Sequence, residues 1–323
     1  AEYAKATMRG ESNGLTLTQS GQQEGLDFDY ITNWSYGIDE TLTLLIPNYM
    51  GGASNGTLDE NSETAKTIGQ LTGMRGAKLA KTMETFHLPL YWGDQPFTAG
   101  PVYVGAIVCF LFVLGLQILP NKERWWLLGA TTVGILLSWG YHFEPLSRFF
   151  VNYVPMYAQF RTVSMTLTIS CLCMCIMAFL ALKQWCDGKQ QPSLKPLYIA
   201  AGITGGICLV LAVFPSLAGN FTAPNDARFI GEYAFLKETL PLDRAALLSS
   251  DAWRSFVFIA IAFVVLWLYA KQHIKTQVMA VAMIALVAID MLPIAHRYLN
   301  EQHFVTEKST KNQFKPSTAD QLI

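Results

Sequence analysis

The stretch Thr162–Leu182, TVSMTLTISCLCMCIMAFLAL, decides the fold class, because it contains no charged side chain and lies between Arg161 and Lys183. A helix crosses the roughly 30 Å hydrocarbon core of a bilayer with about 20 apolar residues, each of which adds about 1.5 Å. The stretch therefore has the length and the composition of a transmembrane helix, and the chain is expected to be an integral membrane protein.

Apolar stretches of similar length recur along the chain. They cover residues 101–119, 125–141, 162–183, 196–217, 253–270 and 277–294. Charged residues make up only 15% of the 323 residues, against about a quarter in soluble domains. We therefore expect a mainly α, polytopic membrane helix bundle of about six transmembrane helices over residues 101–295. Residues 1–100 would form an extracytoplasmic segment, and residues 296–323 would begin an extracytoplasmic C-terminal segment of a longer protein.

The short loops between these stretches predict the orientation. Basic residues dominate every second loop: Lys122 and Arg124; Lys183, Lys189 and Lys195; Lys271 and Lys275. Basic residues are enriched in the short cytoplasmic loops of membrane proteins. The three loops alternate correctly, so we expect all of them in the cytoplasm and the longer connections outside it.

Composition also argues against some classes of function. The net charge is −1 and no basic run is present, so nothing favours binding to nucleic acid. The six cysteines lie in or beside apolar stretches, where small packing residues are a better interpretation than a disulfide framework. No His/Asp cluster has ligand spacing, so no cofactor is evident and a divalent metal has no support from the sequence.

Ionisable residues near the apolar stretches gather at the non-cytoplasmic ends. Arg161 precedes the third stretch, Arg254 opens the fifth, and Asp290 lies near the end of the sixth. Charges at the membrane edge tend to mark a pathway or a site. Two arginines at matching helix starts suit a phosphate, because each guanidinium makes bidentate, permanently charged contacts. The alternative is that both side chains only extend to the lipid head groups.

Four blocks of sequence resemble the YfhO family of bacterial membrane proteins, most closely its long versions from Bacteroidetes. The blocks are WSYGIDETLTLLIPNYMGGAS (34–54), YWGDQPFTAGPVYVGAIVCFLFVLGL (91–116), VPMYAQFRTVSM (154–165) and DRAALLSSDAWRSFVFI (243–259). The resemblance extends over nearly the whole chain. It implies a GT-C-like fold and a multi-pass protein of the bacterial inner membrane, with its large loops extracytoplasmic.

The resemblance also implies an activity. A GT-C glycosyltransferase takes a sugar from a polyprenyl-phosphate carrier and adds it to a cell-envelope polymer or glycan acceptor at the outer face. The usual catalytic acid of these enzymes lies in the first outer loop, which is expected upstream of Ala1. Two alternatives stay open: a flippase or transporter of a lipid-linked sugar, and a non-catalytic envelope assembly protein.

Within this chain, YWGDQPFTAGPVY (91–103) holds most of the candidate site residues. Under the resemblance, Trp92 would stack on a sugar ring, and Tyr91, Asp94 and Gln95 would bind near it. Asp94 and Glu40 are the local candidates for a catalytic acid, and Arg161 and Arg254 for binding the phosphate. The alternatives are an aromatic belt with a turn for 91–103 and an ordinary surface residue for Glu40.

Overall fold

The computed structural model describes residues 26–187, 193–223, 226–231, 233–301, 304–306 and 310. Within them the regular structure is helical, and the only β-pairing is a single bridge between Gly56 and Leu88. The predictions for residues 1–25, and for most of the C-terminal segment after residue 301, lie outside the described residues.

The described residues form eleven α-helices, joined in several places by short 3₁₀ turns. The helices are α1 Phe28–Thr32, α2 Glu63–Thr72, α3 Ala77–Thr85, α4 Ala106–Ile118, α5 Asn121–Ser138, α6 Glu144–Tyr153, α7 Leu167–Asp187, α8 Leu194–Val213, α9 Asp226–Ile230, α10 Leu236–Ala270 and α11 Thr276–Tyr298. Four of them, α7, α8, α10 and α11, are long and apolar enough to cross a membrane. The class of an α-helical membrane bundle is thus supported, but with four such helices among the described residues instead of six.

The first two predicted spans are shorter or more polar than expected. Helix α4 has 13 residues and is about 20 Å long, because residues 101–105 are not helical and Gly105 has φ +110°. Helix α5 begins at Asn121 with a polar first turn and ends at Ser138, before the predicted limit at 141. Helix α4 is nevertheless central, since it packs against α7, α8, α10 and α11.

One end of the bundle is covered by polypeptide. At this end of the bundle α4 and α7 begin, and α5 and α8 terminate. It is overlaid by residues 26–105 and 139–166, and we call it the covered end. The opposite end, called the loop end, carries the connections α4–α5, α7–α8 and α10–α11. There Gln117 Nε2 donates a hydrogen bond to the carbonyl of Pro196. The hydroxyl of Tyr269 donates to the carbonyl of Cys186.

Helix α10 begins at Leu236, well before the predicted start at 253. Its 35 residues extend over about 52 Å, more than a bilayer core requires. The hydroxyl of Ser249 donates to the carbonyl of Ala212, 2.7 Å away, which places Ser249 level with the end of α8. The first turns of α10 therefore project from the covered end. Pro241, the sixth residue of the helix, has no N–H to donate to the carbonyl of Lys237.

Helices α2 and α3 pack against the projecting part of α10. Asp243 accepts hydrogen bonds from the backbone N–H groups of Glu63 and Thr64, at 2.7 and 2.9 Å, and so caps the N-terminus of α2. A second apolar core forms around this contact: Leu58, Ala65, Leu79, Met83, Leu88, Leu90, Leu236 and Leu240. The polar segment is thus folded onto a helix that continues into the bundle.

Candidate functional site

Glu40 is one of several buried carboxyl groups at the covered end. It lies in the 3₁₀ turn Asp39–Leu44, and only 3% of the residue is exposed. Its Oε1 accepts hydrogen bonds from the Tyr91 hydroxyl and from Gln95 Nε2, both at 2.9 Å. Its Oε2 accepts from the backbone N–H of Gly37 at 3.0 Å. Three donors from two distant segments therefore converge on one side chain.

Burial changes the protonation of this carboxyl group. It raises the pKa of Glu40 from 4.5 to about 7, because the charged form loses its hydration inside the protein. The three hydrogen bonds lower the pKa and the charge of Asp94 raises it, but burial has the largest effect. At neutral pH the protonated and ionised forms are both populated, so Glu40 is able to accept or release a proton there.

A small cavity with a mixed polar and apolar lining adjoins Glu40. Its volume is about 50 Å³, room for one or two water molecules or for a hydroxyl group of a larger ligand. Tyr36, Thr43 and Gln95 line it together with Glu40. The hydroxyls of Tyr36 and Thr43 are buried beside each other, and neither has a further hydrogen-bond partner among the described residues. A hydroxyl group both donates and accepts, so the pair leaves hydrogen-bonding capacity for a polar occupant of the cavity.

A second acid lies on the surface beside the first. Nε2 of His142 is 3.2 Å from Oδ2 of Asp94, whose side chain is about half exposed. Two ring contacts belong to the same segments: the rings of Tyr141 and His142 lie 4.1 Å apart at a tilt of 40°, and Trp34 meets Phe97 edge to face at 5.4 Å. Phe97 and Tyr141 are exposed. We call the whole group the Glu40 cluster: Trp34, Glu40, Tyr91, Asp94, Gln95, Phe97, Tyr141 and His142.

Backbone contacts hold the segments of the Glu40 cluster together. The N–H of Tyr36 donates to the carbonyl of Ser138 at 2.8 Å, and the N–H of Tyr141 to the Ser35 hydroxyl at 3.0 Å. Gly51 has φ +81°, and a Cβ at this position would lie 2.0 Å from the carbonyl oxygen of Leu90. Only glycine allows this close approach of the two segments.

The structure brings together four of the residues predicted from sequence: Glu40, Tyr91, Asp94 and Gln95. It does not place Trp92 with them. The Trp92 ring is buried against Phe221, with ring centroids 5.1 Å apart, and has no face open to a ligand. The exposed rings of the cluster belong to Phe97 and Tyr141.

The two predicted phosphate-binding arginines have different surroundings. Arg254 forms an ion pair with Asp290 at 3.0 Å and stacks on Phe258. Asp290 in turn accepts from the N–H of Ala106 and from the hydroxyl of Tyr103, so it caps the start of α4. Arg254 thus neutralises a buried structural carboxylate. Arg161 is exposed at the covered end, where its Nη1 donates to the Tyr30 hydroxyl at 2.9 Å.

Sequence reasoning missed the part of the cluster that lies between α5 and α6. Tyr141 and His142 belong to the short segment WGYHF (139–143), which we interpreted only as the end of a span. The signal available was the density of rings around a histidine directly after an apolar stretch. Contact with Asp94, 48 positions earlier, depends on the tertiary fold.

Comparison with protein-family models, with curated proteins and with solved structures finds no match to this chain. Among the described residues, no group of three His, Cys, Asp or Glu side chains is arranged to hold a metal ion.

Proposed function

We propose that the chain is part of a glycosyltransferase of the bacterial inner membrane, with the covered end extracytoplasmic. The enzyme would transfer a sugar from a polyprenyl-phosphate carrier to a cell-envelope acceptor. The observation that supports this most is Glu40: a buried carboxyl group with a pKa of about 7, next to a small cavity and exposed aromatic rings. The resemblance to the YfhO and GT-C proteins suggests the class of substrate.

Glu40 is the proposed general base. A hydroxyl group of the acceptor enters the cavity and gives its proton to the ionised carboxylate. Its oxygen then forms a bond to the anomeric carbon of the sugar, while the bond from that carbon to the carrier phosphate breaks and its electron pair leaves with the phosphate. A positioned general base contributes about 100- to 10,000-fold in rate.

The surface of the Glu40 cluster suits a sugar. The flat faces of Phe97 and Tyr141 match the apolar C–H face of a pyranose ring, while Asp94 accepts hydrogen bonds from its hydroxyl groups. Arg161 is the cation proposed for the carrier phosphate, because its guanidinium is exposed at the same end and Arg254 is engaged with Asp290.

The distribution of charge favours transfer over transport. Helix α10 contains no charged residue between Arg254 and Lys271, and α11 contains none before Asp290. The charges within these two helices therefore lie toward the covered end, whereas a transporter places its site near the bilayer midplane.

The test uses the full-length protein in proteoliposomes with a radiolabelled polyprenyl-phosphate sugar and an acceptor. Glu40→Gln keeps the size of the side chain and removes the base, so transfer should fall about 100- to 10,000-fold. Glu60→Gln, which alters an exposed acid of the same segment, should retain full transfer. Full transfer by Glu40→Gln would exclude the proposed base.

The wild type itself distinguishes the alternatives in the same assay. Label that crosses the bilayer without reaching the acceptor would support the flippase. Label that neither crosses the bilayer nor reaches the acceptor would support the non-catalytic assembly protein. Arg161→Ala should raise the KM for the carrier, and Arg75→Ala, at another exposed arginine of the covered end, should not.

A further inference from the structure

Helix α6 presents two different faces. Ser147 is buried, and its hydroxyl donates to the carbonyl of Gly140 at 2.7 Å, which fixes the inner face. Phe149 and Tyr153, one turn apart, are 53% and 73% exposed, and their rings lie 5.3 Å from each other. The helix is therefore amphipathic, and its outer face is aromatic.

The exposed apolar surface continues along the chain after α6. Met156 and Phe160 are each 61% exposed. Met165, in the turn directly before the next long helix, is 70% exposed, and Ile169, in the first turn of that helix, is 55% exposed. That helix, α7, is long and apolar enough to cross a membrane, so its exposed side chains face lipid. The aromatic face and the lipid-facing surface of α7 thus belong to one segment of the chain.

We propose that α6 and the following residues to Phe160 lie in the bilayer interface at the covered end, with Phe149, Tyr153 and Phe160 inserted among the lipid head groups. Amphipathic helices with large apolar rings bind at this depth, and aromatic side chains are enriched there in membrane proteins. Continuity with α7 is the reason to choose the bilayer over a partner protein as the occupant of this face.

The charged residues of the segment fit the same placement. Arg148 forms an ion pair with Glu144 through its Nε, and its guanidinium lies 4.3 Å from the centroid of the Phe28 ring. Arg161, directly after Phe160, is exposed and remains within reach of head-group phosphates. Since Glu144 follows the 3₁₀ turn that contains His142, the interfacial helix would also fix the Glu40 cluster close to the lipid surface.

This inference does not depend on glycosyl transfer, and spin labelling tests it. The full chain, with its native cysteines replaced, is placed in phospholipid nanodiscs after Phe149→Cys, Tyr153→Cys or Phe160→Cys and labelling. The accessibility of each label is measured to oxygen, which concentrates in lipid, and to a water-soluble nickel chelate. Phe179→Cys, exposed on α7, is the lipid control, and Glu60→Cys is the water control.

The three labels should show an oxygen-to-chelate ratio several-fold above that at position 60 and close to that at position 179. Labels with the ratio of position 60 would overturn the proposal, because the face would then be in water. Low accessibility to both reagents would also overturn it, since the face would be covered by protein; spin–spin broadening would then identify a second copy. Each label replaces an exposed side chain, so a measurement on any one of the three variants is sufficient to test the proposal.

Discussion

Replacing Glu40 by glutamine should make the protein more stable, and the gain should depend on pH. The carboxyl group ionises near pH 4.5 in the unfolded chain and near pH 7 in the folded protein, because it is buried there. Each unit of pKa difference corresponds to about 1.4 kcal/mol, so the ionised group costs the folded state about 3 kcal/mol.

Proton binding determines the direction in which the free energy of unfolding changes with pH. Below about pH 4.5 the group is protonated in both states, and the glutamate has no charge to bury. As the pH rises to about 7 and beyond, the unfolded state gains the larger benefit from ionisation, so the wild type loses free energy of unfolding. Glutamine stays neutral throughout. The difference between variant and wild type should grow from near zero to about 3 kcal/mol over this window.

The hydrogen bonds around Glu40 can adapt to a neutral amide. The Tyr91 hydroxyl both donates and accepts, and the Gln95 amide can turn to present its oxygen instead of its nitrogen. Loss of contacts should therefore not hide the electrostatic gain at neutral and alkaline pH.

The assay is thermal unfolding of purified protein in detergent, at several values from about pH 5 to about pH 8, for wild type, Glu40→Gln and the exposed control Glu60→Gln. Infrared spectroscopy adds a direct reading, since the carbonyl band of a protonated carboxyl group at neutral pH should disappear in Glu40→Gln. A stability difference that is the same at every pH, or a variant less stable at every pH, would refute the reasoning.

Three further comparisons between variants test the covered end and α4 through the melting temperature. Arg244→Met should destabilise the protein by about 3–5 kcal/mol, because it leaves the buried Asp226 unpaired; adding Asp226→Leu should recover part of the loss. Gly51→Ala should cost several times more than Gly73→Ala, since both have positive φ but only Gly51 has a backbone oxygen in the way of a Cβ. Asp290→Ala should destabilise more than Asp290→Asn, which can still accept the hydrogen bonds at the start of α4.

The lengths of the apolar stretches predicted the class of fold, because these lengths are a local property of the sequence. The start of α10 was not predicted, since Asp243 and Arg244 look like solvent-exposed charges when read along the chain. In the structure Asp243 caps α2, and Arg244 is fully buried, with Asp226 and the carbonyls of Phe221 and Leu90 as partners. Such partners come from distant segments, so no periodicity reveals them.

The burial of the candidate site residues also depends on contacts between distant segments. The residues Glu40, Tyr91, Asp94 and Gln95 were chosen because acids and rings lay near a predicted span. Which acid is buried follows only from the tertiary contacts of Tyr91 and Gln95 with Glu40. The sixth apolar stretch was predicted to end at 294, but α11 continues past Pro293 to Tyr298.

Helix α10 reaches from the loop end to α2 as one continuous rod, and the polar segment is attached along it through Asp243, Arg244 and Asp251. A transmembrane helix changes its tilt when the thickness of the surrounding bilayer changes. Tilting a rod about 52 Å long moves its projecting end, and α2 and α3, which pack on that end, would move with it. An interfacial α6 would keep the Glu40 cluster at the lipid surface, so bilayers of different chain length would change the height of α2 and α3 relative to the site.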